Sequence, residues 1–275
     1  MKSIIPIILL TIISLGLNAQ MYQSKWLDTK LEIDGSDSDW AKKPEMFNND
    51  TKFLYAVRND KEFLYLIYEL PEKETQQKFM HSGMRIDLQV KSKPKVKASI
   101  SFPIMNRKHQ SNPEEMKNMQ KSNEKDFAQK YLLFADNAQI KGFVKTTGII
   151  SRNTGSDTPF TFGIGWNKSK NMILELRIPL SELFGDNYNL QDICESKIKV
   201  KNTLKAFERP SMSNGESQSP PMGGNSNMGS GSRPSGSQGS RMRPSENMQS
   251  SSMPTDMQSI FEEKSFKWSF VIVEE

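Results

Sequence analysis

The chain has 275 residues, 35% hydrophobic and 25% charged, with 37 Lys and Arg against 32 Asp and Glu, two His and one Cys. One Cys excludes an internal disulfide framework, and two His with one Cys leave too few soft ligands for a closed His/Cys zinc cluster. A net charge of +5 is small for this length and argues against a nucleic-acid partner, which would show as a clustered basic patch; stability has to come from a packed core.

The first segment has Lys2 as a positive start, a mostly apolar run over 4–15 and then Leu17-Asn18-Ala19 before Gln20. This is secretory signal-peptide grammar over 1–19, with cleavage expected after Ala19. The run is short for a bilayer and no second long one follows, so the expectation is an exported chain with no transmembrane segment after cleavage. No Cys lies near the cleavage point, so a bacterial lipoprotein anchor is not expected. A single Cys in an exported protein suits a Gram-negative periplasm or the cell exterior better than disulfide-stapled eukaryotic secretion. Cys194 reads as a buried small hydrophobe.

From 26 to 207 short strands alternate with turn signals at the spacing of an all-β sandwich. The runs 53–57 and 63–68, separated by Asn59-Asp60-Lys61-Glu62, form a predicted hairpin whose arms are apolar on both faces, as at the centre of a sandwich or under a covering loop. Met84, Ile86, Leu88 and Val90 alternate with Arg85, Asp87 and Gln89, which predicts one buried and one wet face; 99–104 is its expected partner. Pro113, Glu114 and Glu115 open a predicted surface helix over 112–130 with a sparse stripe of Met116, Met119 and Phe127. Strands are expected again at 139–144, 146–150, 160–166 and 172–178, the last two joined by an Asn- and Lys-rich turn and closed by Pro179. A one-turn helix at Ser181 closed by Gly185 and a strand over 197–207 follow.

Almost every residue from 210 to 257 is Ser, Gly, Pro, Met, Asn, Gln or Arg, a composition that cannot offset the entropy of ordering. Phe266, Trp268, Phe270 and Ile272 then form a strong final strand, so the low-complexity stretch is expected as a disordered insertion inside one domain built from 20–209 and 258–275. The predicted fold is an antiparallel, jelly-roll-like β-sandwich with one surface helix and this insertion before the last strand.

Leu31-Glu32-Ile33-Asp34-Gly35 followed by Asp39-Trp40, then Phe63-Leu64-Tyr65-Leu66, then Glu175-Leu176-Arg177-Ile178-Pro179-Leu180-Ser181-Glu182-Leu183 occur in an order that resembles the family 9-like carbohydrate-binding domains, with their I-D-G…W opening and E-x-x-I-P-L segment. The resemblance covers roughly 26–207 and the final strand, and implies a non-catalytic, DOMON-like β-sandwich that binds sugars in some members. The helix at 112–130 and the insertion depart from it. The motifs also have plain physical readings: Asp34-Gly35 makes a turn that Gly enters cheaply, and Trp40 is an apolar plug where the chain folds back beneath the sheet.

Sugar binding asks for an exposed ring that stacks on pyranose C–H faces, with amides or carboxylates nearby for the hydroxyls. Trp166 ends a strand beside Asn167, Lys168 and Asn171, so Trp166, Asn167 and Asn171 are the candidate ligand residues, whereas Trp40 and Trp268 fall in core-like patterns and Trp26 fits either role. Asp34, Asp37 and Asp39 place three carboxylates in one turn, which raises calcium, although the full D-x-D-x-D-G pattern is absent and a solvated turn is the ordinary reading. Met80, His81 and Met84, Met105 and His109, and seven methionines in or just beyond the low-complexity stretch raise Cu(I), against the plainer reading of core packing and an oxidisable linker. No G-x-S-x-G, H-E-x-x-H or P-loop occurs, so no enzyme is expected; a glycosidase pair from distant segments would leave no local signature. Lys91, Lys93, Lys95 and Lys97 lie two apart, as a solvated face or, less simply, as a contact for acidic glycans or anionic envelope surfaces. The function expected is binding of a carbohydrate or other envelope component. The alternative is a scaffold that meets a protein partner through the low-complexity segment, with copper handling third.

Overall fold

Whether a strand alternates or is apolar throughout decides which layer it joins and what must cover it. The computed structural model describes residues 21–40, 43–91, 95–104, 131–132, 135–152, 159–194, 196–206 and 262–275. Its strands are β1 (Tyr22–Gln23), β2 (Lys25–Trp26), β3 (Met46–Phe47), β4 (Leu54–Asn59), β5 (Phe63–Leu70), β6 (Met84–Val90), β7 (Val96–Ile104), β8 (Asn137–Lys141), β9 (Gly148–Ser151), β10 (Thr161–Trp166), β11 (Met172–Pro179), β12 (Lys197–Leu204) and β13 (Lys264–Val271). Lying wholly within the described residues are the helices α1 (Lys73–Ser82), α2 (Ser181–Phe184) and α3 (Leu190–Ile193). A seven-stranded sheet runs β1-β13-β12-β6-β7-β8-β9, and a six-stranded sheet runs β10-β11-β5-β4-β2 with β3 also on β4. The two form the expected β-sandwich. Its pairs are antiparallel except β1 on β13 and β2 on β4, which are parallel because one short N-terminal segment crosses from sheet to sheet.

The inner faces meet in one core that includes Phe53, Leu66 and Tyr68 from the six-stranded sheet and Ile86, Ile100, Val200 and Phe270 from the seven-stranded one. The β4–β5 hairpin is closed by Asp60, whose Oδ1 accepts the backbone N–H groups of Glu62 and Phe63 while Oδ2 accepts the Tyr65 hydroxyl. A second cluster lies on the far side of the six-stranded sheet, where Ala56, Tyr65, Ile67 and Ile173 are covered by Leu31 and Trp40. This explains why β5 is apolar on both faces. Each large apolar side chain sealed in this way contributes about 1.5–3 kcal/mol.

The 53–68 and 160–178 hairpins, the alternating strand 84–90, the strand after 197 and the final strand all form, with ends shifted by a few residues. The helical turn at Ser181 is capped by Gly185 at φ 86°. Helix α1 is absent from the sequence-based expectations: its buried face is Thr75, Gln76 and Lys78 with only Phe79 and Met80 apolar, so no hydrophobic stripe announces it. The predicted helix over 112–130 and the low-complexity segment lie outside the described residues. Cys194 is half-buried rather than buried, because it caps the short α3 at the surface. Met80 and Met84 are core residues at 7% and 1% exposure.

Candidate functional site

The two outer faces of the sandwich are unlike each other. On the six-stranded sheet, Gly163 and Gly165 put no side chain on the outer face of β10, and the Asp34-Gly35 turn lies directly on that backbone. A Cβ on Gly163 would stand 2.6 Å from the Gly35 nitrogen, and one on Gly35, at φ 86°, 2.3 Å from the Ile164 carbonyl carbon. Beside this contact Glu175 is fully buried. Its Oε1 accepts the Trp40 indole N–H at 2.5 Å and its Oε2 the Gly35 backbone N–H at 2.7 Å. Burial pushes its carboxyl up to about 7; the two hydrogen bonds oppose the shift, and the charges of Asp39 and Asp34 add to it. The Asp34-Gly35…Trp40 segment and the segment that begins at Glu175 therefore meet at one buried carboxyl, and the meeting fastens a cover to a sheet.

The sequence-derived candidates surround this cover. Trp166 is half-buried, donates its indole N–H to Gln76 Oε1 at 3.1 Å and meets the Tyr131 ring edge-on at 6.2 Å. Asn167 Nδ2 donates to Asp37 Oδ2 and to Glu69 Oε1, Asn171 Nδ2 donates to Glu69 Oε1 at 2.6 Å, and Asn167 Oδ1 accepts the Ser169 and Asn171 backbone N–H groups. Both side-chain N–H donors are thus engaged within the fold, around the 2%-exposed Glu69. The three aspartates do not converge: Asp34 accepts the Ser36 N–H, Asp39 the Glu32 N–H, and Asp37 the Asn167 amide. Asp34 and Asp39 accept backbone N–H groups of their own turn, whereas Asp37 reaches across to the β10–β11 turn. Among the described residues no three His, Cys, Asp or Glu side chains are grouped to hold a metal.

The outer face of the seven-stranded sheet is largely polar, with Ile149 an exposed apolar exception on β9. Register builds it in rows. One row runs Lys267, Lys201, Asp87, Ser99 and Lys141 across five strands; the next runs Ser269, Lys199, Gln89 and Lys97 across four. With Arg85 and Lys197 these line an open concavity of about 1180 Å³, which continues round the β13 edge to Tyr22, Met46, Tyr55 and Trp268. Seven cations thus surround a single carboxylate, Asp87, which is held by Arg85 at 2.7 Å. None of the six lysines has an ion-pair partner among the described residues. At the aromatic end, Trp268 packs on Tyr55 and Phe270 with ring centroids 5.0 and 5.2 Å away, and its indole N–H has no partner among the described residues. Tyr22 is tied there by its hydroxyl to Glu45, which also binds Arg58 at 2.7 Å and Lys25. Partial burial would raise the Glu45 carboxyl, but the Lys25 and Arg58 hydrogen bonds outweigh it and bring it down to about 2.

Of the lysine run noticed in the sequence, Lys97 lies in this trough, Lys91 and Lys95 are exposed beside it, and Lys93 is outside the described residues. Lys197, Lys199, Lys201 and Lys267 were missed as a site, although Lys-Ile-Lys-Val-Lys is a period-2 signal for a cationic strand face. Comparison with protein-family models, with curated proteins and with solved structures returns no match.

Proposed function

We propose that this protein is an exported, non-catalytic β-sandwich module, similar to the family 9-like carbohydrate-binding domains, that binds a carbohydrate or other envelope component in the trough of the seven-stranded sheet. The observation that carries the reading is the contrast between faces: one is sealed by its own chain over an apolar cluster, the other is an open, largely polar concavity with Tyr22 and Trp268 at its rim. Hydroxyl-rich ligands are held by that combination, a ring for the C–H faces and several side-chain donors and acceptors for the rest.

Affinity electrophoresis against a panel of neutral and acidic plant, algal and bacterial polysaccharides tests it. Retardation by at least one polymer, without release of reducing sugar from it, is the expected result. Unretarded migration through every polymer removes the reading.

A further inference from the structure

Resting on that reading, we infer that the ligand is an anionic polysaccharide, a linear polymer whose sugar rings carry carboxylate or sulfate groups, laid along the lysine rows of the trough. Three observations carry this. First, apart from Lys267 on the outer stretch of β13, the cations are not placed for edge protection. Lysines guard exposed sheet edges, but β12 lies between β13 and β6, with its hydrogen bonding complete on both sides. Second, they are placed against stability. Lys201 stands directly opposite Lys267, and the carboxylate on its other side, Asp87, is held by Arg85, so the like-charged pair has no ion-pair partner of its own among the described residues and gains from an added anion. Third, they form a lattice, with steps of about 7 Å along a strand and about 4.8 Å between strands, and Gln89, Ser99 and Ser269 interleaved as hydroxyl partners.

The chemistry separates this ligand from other polyanions. Phosphate recognition favours the two-pronged guanidinium, and the one arginine in the trough is held by Asp87. Lysines are point charges suited to carboxylate or sulfate without fixed orientation. The face is concave, so a chain can lie in it where a flat bilayer would meet only the rim. Release of counterions condensed on the polymer then supplies much of the binding, which makes the affinity fall with salt.

The test measures binding of polygalacturonate, dextran sulfate, neutral dextran, single-stranded DNA and phosphatidylglycerol vesicles at rising NaCl. It uses the wild type, the trough variant Lys199→Gln/Lys201→Gln/Lys267→Gln, and a control, Lys43→Gln/Lys61→Gln/Lys168→Gln, with the same change of net charge on exposed residues elsewhere. Binding of polygalacturonate or dextran sulfate is expected, weaker by about tenfold or more over a fourfold rise in salt. The trough variant should lose it with a salt slope shallower by roughly two to three, while the control keeps it. Which polymer binds more tightly distinguishes carboxylate from sulfate. Salt-independent binding of a neutral polymer, equal in all three proteins, overturns the anionic inference and leaves the binding-module reading standing. Binding of only DNA or vesicles, lost in the trough variant, overturns the polysaccharide. Equal loss in both triple variants overturns the trough as the site, and absence of all binding overturns both readings.

Discussion

Replacing Glu175 by glutamine should change how stability depends on pH, with a sign fixed by the geometry. The carboxyl is fully buried and sits at about 7 in the folded protein, against 4.5 for the free side chain. The native state therefore holds one more proton than the unfolded chain between those values. Its contribution to stability is complete below pH 4.5 and is lost as pH rises towards 7. At about 1.4 kcal/mol per unit, the full loss is about 3–4 kcal/mol, most of it between about pH 5 and 8. The amide of the Glu175→Gln variant would remain neutral throughout and keep one acceptor, but its NH2 would face either the Trp40 or the Gly35 donor, at a cost of about 1–3 kcal/mol. Urea unfolding of both proteins at about pH 5, 6, 7 and 8 should show the wild type clearly more stable at the acid end and the gap closing by about 3 kcal/mol at the alkaline end. Parallel curves, or a wild type that gains on the variant as pH rises, would mean that the two donors hold an ionised carboxylate, and the argument from burial would fail.

The Glu45 cluster should titrate the other way: its carboxyl is lowered to about 2, so its contribution is present above 4.5 and lost as pH falls from there towards 2. Glu45→Gln should flatten that acid limb and, because the carboxylate is 27% exposed, lower stability near neutrality by about 1–2 kcal/mol, read from urea midpoints. Gly163→Ala should destabilise by about 1–3 kcal/mol, since the new methyl meets the Gly35 nitrogen and Glu175 Oε2; an unchanged thermal midpoint would show that the Asp34-Gly35 turn is not fastened there. Asn171→Ala removes the 2.6 Å bond to buried Glu69 and should cost about 1–3 kcal/mol, again read from urea midpoints. Lys201→Gln should change stability by less than about 1 kcal/mol, since relieved repulsion with Lys267 offsets lost attraction to Asp87, which Arg85 already holds; a larger fall in the thermal midpoint would make the lysine a stabilising residue.

The layering was legible because period-2 patterns speak for themselves: β6 and β13 show which side is buried, and the uniformly apolar β5 announces a second cover. What the pattern could not say was what provides that cover. The Ile33-Asp34-Gly35 turn and Trp40 are far in sequence from Gly163 and Glu175, and only the fold joins them. The alternating glycines of β10 were an available signal, since glycine inside a strand often marks a close backbone approach. Helix α1 stayed hidden because its buried face is largely polar. The ring at Trp166 was legible as the end of a strand, but its bond to Gln76 depends on that unannounced helix. The trough was half legible: Lys197, Lys199 and Lys201 share a face by spacing alone, yet their neighbours Lys97 and Lys267 arrive from strands whose order across the sheet no local pattern encodes.

The chain leaves the sheet after Leu204 and rejoins it at Lys264, with the low-complexity segment between them in sequence, and these two residues are paired in register on neighbouring strands. The segment's length is therefore decoupled from the geometry of everything else, because a hairpin mouth has the same width whatever hangs from it and the closure entropy grows only with the logarithm of the loop. The mouth opens at the Thr203 end of the lysine rows, so cargo spliced between these two strands, or the native segment shortened by stages, would stay anchored at a fixed distance from the trough. That makes this junction a natural port for grafting.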